Sequence, residues 1–141
     1  MPYEAHEELQ ELFPGRTWQG SDPVIARYIF IGLDANFPPN IRANHREVID
    51  YLTDYIEFID AHGVHHPFLL HGYRGTGKRY HKKFAEFGFT HEHIVALSFV
   101  ELLHVPTIGQ NTLVLEDLSD EYLQGLSNIL DVGAAEHVFT C

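Results

Sequence analysis

The stretch Arg27-Tyr28-Ile29-Phe30-Ile31-Gly32-Leu33-Asp34-Ala35-Asn36-Phe37 decides the fold. Its apolar run is continuous, as in a strand buried on both faces of a parallel sheet; a strand with one wet face would alternate. From Gly32 the chain then delivers a glycine, a carboxylate, an amide and an aromatic ring within six residues. Pro38-Pro39 keeps the next residues out of a regular helix. In functional terms, Gly32 permits close backbone approach, Asp34 is suited to orient or deprotonate a water, and Phe37 to stack on a planar ring. The competing account makes Asp34 and Asn36 plain turn formers.

Outward from this strand, helical and extended patterns alternate. Leu9, Leu12 and Phe13 predict a short first helix stopped by Pro14-Gly15, and residues 16–23 read as loop. A long helix is expected from an Asn44 N-cap to Gly63, with Val48, Ile49, Leu52, Tyr55, Ile56 and Ile59 at helical spacing. Residues 67–70 suit a short strand, 78–87 a basic helix closed by Gly88, and 94–103 a second buried strand followed by a loop at 104–111. Ser119 is placed to cap a last helix, and a strand begins at Glu136. Such alternation argues an α/β domain with a mostly parallel sheet. Its ligands would bind at the carboxyl ends of strands, which brings loops 32–40 and 104–111 toward one cleft.

The 141 residues suit one domain, and no apolar run approaches the ~20 residues of a membrane span. One cysteine, Cys141, excludes an internal disulfide framework and fits a reducing, cytoplasmic setting. The net charge of −11 argues against nucleic acid as a partner, but the placement of the charges softens that inference. Five of the nine Lys and Arg (Arg74, Lys78, Arg79, Lys82, Lys83) fall in a window, 71–83, with no acid, whereas residues 84–141 carry nine acids and no Lys or Arg. That window is either a solvated helix face or a phosphate site.

Two further constellations invite chemistry. Gly72-Tyr73-Arg74-Gly75-Thr76-Gly77-Lys78 fits a phosphate loop preceded by apolar Phe68-Leu69-Leu70, and Thr112-Leu113-Val114-Leu115-Glu116-Asp117 imitates an acidic strand end. Position 79, however, is Arg where a Mg²⁺-binding Ser or Thr belongs. His62, His65, His66 and His71 lie close in sequence, with His81, His91 and His93 beyond, but without the companion cysteines or helical spacing of a metal site. No metal site is expected.

Gly32-Leu33-Asp34-Ala35-Asn36 resembles the first motif of the uracil-DNA glycosylase superfamily. Lys78-Arg79-Tyr80-His81-Lys82-Lys83-Phe84 with Phe87-Gly88-Phe89-Thr90 is similar to the basic-aromatic helix and turn of its mismatch-specific uracil/thymine branch. Phe99-Val100-Glu101-Leu102-Leu103-His104-Val105-Pro106-Thr107 resembles the strand that runs into that branch's Arg-Pro-Thr, and the last helix and Val138-Phe139-Thr140 follow in the same order. Ala35 stands where the family usually has Pro, Glu101 where relatives carry Asn or Lys, and Val105 where they carry Arg. The second catalytic motif, a Pro-Ser loop with His or Asn, is not reached by Cys141, so a single domain over 1–141, shortened at its C-terminus, is expected.

The resemblance implies a three-layer α/β/α sandwich that hydrolyses the N-glycosidic bond of uracil or another damaged or mismatched base in DNA. Asp34 and Asn36 would be catalytic, with Asp34 orienting the water and offsetting the positive charge that develops on the sugar. Gly32, Leu33, Phe37 and Glu101 would bind the flipped base, and Arg74, Lys78, Arg79, Lys82 and Lys83 the DNA phosphates. It implies no cofactor; a monomer and no membrane partner are expected. An ionised Glu101 would accept uracil's N3–H but repel its carbonyls, which favours cytosine- or guanine-like edges. Two alternatives stay open: a non-catalytic nucleotide- or nucleic-acid-binding protein on the same fold, and a phosphate-loop nucleotide-binding protein using Gly72–Lys78.

Overall fold

In a computed structural model, which describes residues 3–73, 86–89, 91–109 and 112–140, the deciding run forms strand β3, Tyr28–Gly32. It lies inside a four-stranded sheet of order β2-β5-β3-β7, with β2 at Trp18–Gly20, β5 at Leu97–Glu101 and β7 at His137–Thr140. Strand β3 pairs in parallel with both β5 and β7, while β2 runs antiparallel along the far side of β5. The protein is therefore α/β with a mixed sheet.

The continuous apolar pattern of β3 and β5 has its cause in what covers each face. On one side Phe30, Leu97 and Phe99 pack with residues of helices α3 (Arg46–Thr53) and α4 (Tyr55–His62). On the other, Ile29 and Val100 pack with Leu126 of α5 (Asp120–Val132). Burying each such side chain contributes roughly 1.5–3 kcal/mol. Ser119 caps α5 as its sequence suggests, its hydroxyl accepting from the Tyr122 N–H at 3.2 Å.

Beyond the carboxyl ends of β3 and β5 the two chains bend together. The carbonyls of Gly32, Leu33 and Ala35 accept from the amides of Leu102, Leu103 and Thr107 at 3.0, 2.9 and 2.8 Å. The pairing then resumes as β4 (Asn36–Phe37) beside β6 (Thr107–Ile108), in a second sheet of order β1-β6-β4 completed by β1 (Glu4–Ala5). Of the loops expected at 32–40 and 104–111, the described residues thus lie side by side, each stretch containing a short strand.

Three other expectations are corrected. The long helix from Asn44 is broken at Asp54. That residue leaves helical geometry and its carboxylate accepts from the Glu57 N–H at 3.0 Å, starting α4 afresh. Asn44 is the last residue of α2 (Ile41–Asn44), and His45 is the N-cap position of α3. Gly63 does close α4, in the left-handed conformation at φ 70°. Residues 67–69 form a 3₁₀ turn, not a strand, because Pro67 suits the first position of a turn and the buried His66 caps it through Nδ1. The loop expected at 16–23 contains β2, zipped to β5 by backbone bonds. Residues 78–85 of the basic helix lie outside the described residues. Among the described residues, no helix is long and apolar enough to cross a membrane.

Candidate functional site

A cavity of about 270 Å³ opens where β3 and β5 end. Phe13, Trp18, Phe37 and Phe99 form its aromatic walls, and Arg16, Gln19, Glu101 and His104 are among its polar groups. The volume lies just under the range usual for pockets that hold drug-sized ligands, so it fits one small ring system.

Helix α1 (Glu7–Leu12) supplies one side through Leu9 and Gln10, and its position is fixed by polar contacts. The buried His6 accepts from the Leu9 N–H at Nδ1, so its proton sits on Nε2 and is donated to the Pro38 carbonyl at 2.9 Å. Glu8 accepts from the amides of Ile41 and Arg42 at 2.9 and 3.1 Å, capping α2 from outside. Both ties hold α1 against the chain that leaves β4.

Glu101 ends β5 directly opposite Gly32 of β3. A side chain at position 32 would collide with it: a Cβ there would lie 2.3 Å from Glu101 Oε2. This gives Gly32 its role, since the carboxyl rests against bare backbone. The group is densely surrounded by protein, and burial, with the nearby charge of Asp34, pushes its pKa up to about 8. The same residue's carbonyl accepts from Tyr122 Oη at 2.8 Å, which ties the strand end to α5.

The predicted site residues do not gather in one place. Glu101 and Phe37 line the cavity, as does Ala35, which is not one of them. Phe37 is 3% exposed and packs edge-on to Phe68 at 5.6 Å, so it is a core ring that also forms part of the cavity wall. Asp34 and Asn36 project from the opposite side of β4, where both meet the fully buried Thr107. The Thr107 hydroxyl donates to Asp34 Oδ2 at 2.7 Å and accepts from Asn36 Nδ2 at 3.3 Å. Asn36 also donates to the Gly109 carbonyl. Leu33 is exposed and its carbonyl is already engaged by Leu103. Arg74, Lys78, Arg79, Lys82 and Lys83 lie outside the described residues.

Several groups at the site escape a reading of sequence alone. Arg16 donates to the carbonyls of Trp18 and Leu52, the latter in the last turn of α3, and burial lowers its pKa. Gln19 accepts through Oε1 from His66 Nε2. This follows from His66 Nδ1 already accepting from Phe68 N–H, and it leaves the Gln19 amide NH₂ as the group turned elsewhere. His104 shares the cavity wall, and its buried Nδ1 has no hydrogen-bond partner among the described residues. One signal for Gln19 is the regular alternation of Thr17, Gln19 and Ser21 with Trp18 and Gly20.

Phe68 and Leu69 lie in a 3₁₀ turn, and Leu115–Asp117 is another, so among the described residues neither strand expected beside the phosphate loop is formed; residues 74–78 of the loop are outside the described residues. Among the described residues no group of three or more His, Cys, Asp or Glu side chains is placed to hold a metal ion. Comparison with protein-family models, with curated proteins and with solved structures gave no match.

Proposed function

We propose that the protein binds a nucleobase in the cavity at the end of β3 and β5 and hydrolyses its N-glycosidic bond, as a uracil-DNA glycosylase-like domain acting on a flipped base in DNA. The observation that carries this is the placement of two carboxyl groups at one parallel strand end, near enough for the charge of Asp34 to act on Glu101. Glu101 stands on an aromatic-walled cavity sized for one small ring system, and Asp34 is held by Thr107 on the other side of the chain that leaves β3. The order β5-β3-β7, parallel throughout and with helices packed on both faces, supports the finer architecture of a three-layer α/β/α sandwich with a mostly parallel core.

In this reading Phe37 and Phe99 flank the ring and Glu101 hydrogen-bonds its edge. Asp34 orients the attacking water and offsets charge on an oxocarbenium-like sugar, with Thr107 and Asn36 fixing its direction. Arg74, Lys78, Arg79, Lys82 and Lys83 supply the phosphate contacts, in the one acid-free basic window of the chain. The test is base release from single- and double-stranded DNA containing uracil or a mismatched base. Release by the wild type and its loss in Asp34→Ala are expected. No release by the wild type, with DNA binding indifferent to Asp34→Ala, overturns the reading and leaves a non-catalytic binding module.

A further inference from the structure

We infer that Glu101 reads a bound ring as a neutral carboxylic acid and that, together with the Gln19 amide, it selects heterocycles presenting a lactam edge, an N–H beside a C=O. This rests on the cavity being a base pocket and not on hydrolysis. The geometry comes first. The Glu101 carboxyl lies against the bare backbone of Gly32 on an apolar, aromatic-walled cavity, and among the described residues no hydrogen-bond donor or cation is paired with it.

The groups around it do not favour a negative charge. Asp34, at the end of β3, adds a like charge, and Tyr122, from α5, gives its hydroxyl to the Glu101 backbone carbonyl. Arg16 directs its Nε and Nη1 to the carbonyls of Trp18 and Leu52, and His104 lines the same cavity; among the described residues neither forms an ion pair with Glu101. An ionised carboxylate in such surroundings is expensive unless paired, whereas the neutral acid is tolerated. The pKa of about 8 agrees with this placement.

The protonation state changes what the group recognises. A carboxylate only accepts, which suits a ring edge with two donors. A neutral acid offers one O–H and one C=O side by side and pairs with an edge that carries one acceptor and one donor. Both a lactam and an amidine meet that requirement, and Gln19 separates them. In the β2–β5 register Gln19 faces Phe99, which places Gln19 and Glu101 as diagonal neighbours on one face of the pair. With its Oε1 held by His66, Gln19 presents NH₂, which suits a carbonyl on the ring and opposes an exocyclic amine. The repulsion between an ionised Glu101 and the carbonyls of uracil therefore does not arise in the folded protein at neutral pH.

The experiment is calorimetric binding of the free bases uracil, cytosine, hypoxanthine and adenine to the full chain between about pH 6 and pH 9. Uracil should bind at least about tenfold more tightly than cytosine, and hypoxanthine than adenine, a difference of about 1.4 kcal/mol. Uracil affinity should fall about tenfold per pH unit above about pH 8. Glu101→Ala should abolish binding. Glu101→Gln, whose amide carries a permanent donor and acceptor, should restore it with a flat pH profile. Affinity that rises with pH, loss of binding in Glu101→Gln, preference for cytosine, or failure to bind any base would each overturn the inference. Uracil binding with the expected profile but without base release from DNA would refute the hydrolytic reading alone.

Discussion

The proton on Glu101 should be measurable as stability. In an unfolded chain this carboxyl ionises near 4.5, and in the folded protein it holds its proton to about 8. Between those values the folded state binds a proton that the unfolded state does not. The contribution to stability is therefore complete below about pH 4.5, declines as pH rises, and levels off above about pH 8. Each tenfold change in proton affinity is worth about 1.4 kcal/mol, so roughly 3 kcal/mol is lost by pH 7. That is a large fraction of the ~5–15 kcal/mol a domain usually has. Glu101→Gln has nearly the same shape and cannot ionise. Urea denaturation of wild type and Glu101→Gln at a series of pH values isolates this group, because every other titration cancels in the difference. The advantage of Glu101→Gln should grow by roughly 3 kcal/mol between about pH 4.5 and pH 7. A difference that stays constant across that range would refute the reasoning that burial keeps Glu101 neutral.

Gly32→Ala should destabilise the wild type by roughly 1–3 kcal/mol and cost much less when combined with Glu101→Ala, since the added methyl meets the Glu101 carboxyl. Additive losses in the denaturation cycle would show that Gly32 serves the backbone instead. Thr107→Val should lower stability by roughly 1–3 kcal/mol, because Asp34 loses one donor and Asn36 one acceptor in a single step; an unchanged urea midpoint would count against that network.

The parts of the fold visible in the sequence are those governed by local rules. The apolar run of β3, the Ser119 cap and the Gly63 stop each follow from a few adjacent residues. The break at Asp54 is hidden because Leu52, Tyr55, Ile56 and Ile59 keep helical spacing across it, and a single side-chain bond to Glu57 decides the matter. The short strands β4 and β6 offer too few residues for a period to show, and the alternation around β2 spans only five residues; backbone pairing with distant segments creates all three. The cavity follows the same logic. Glu101 and Phe37 stand out in the sequence, but Arg16, Gln19 and Thr107 acquire their roles only when segments far apart in the chain converge. The state of the Glu101 proton is also beyond the sequence, since it depends on how deeply the fold encloses the carboxyl.

The joint at which β3 and β5 bend into β4 and β6 separates frame from chemistry. Its three ties, Gly32 to Leu102, Leu33 to Leu103 and Ala35 to Thr107, run from main chain to main chain and do not depend on which side chains project from it. Side chains on the cavity rim, Ala35, His104 and Val105 among them, are thus free to be exchanged without dismantling the ledge that carries them. Divergence, natural or designed, has an easy route here: the mouth of the cavity can be rewritten one residue at a time while the scaffold beneath it stays the same.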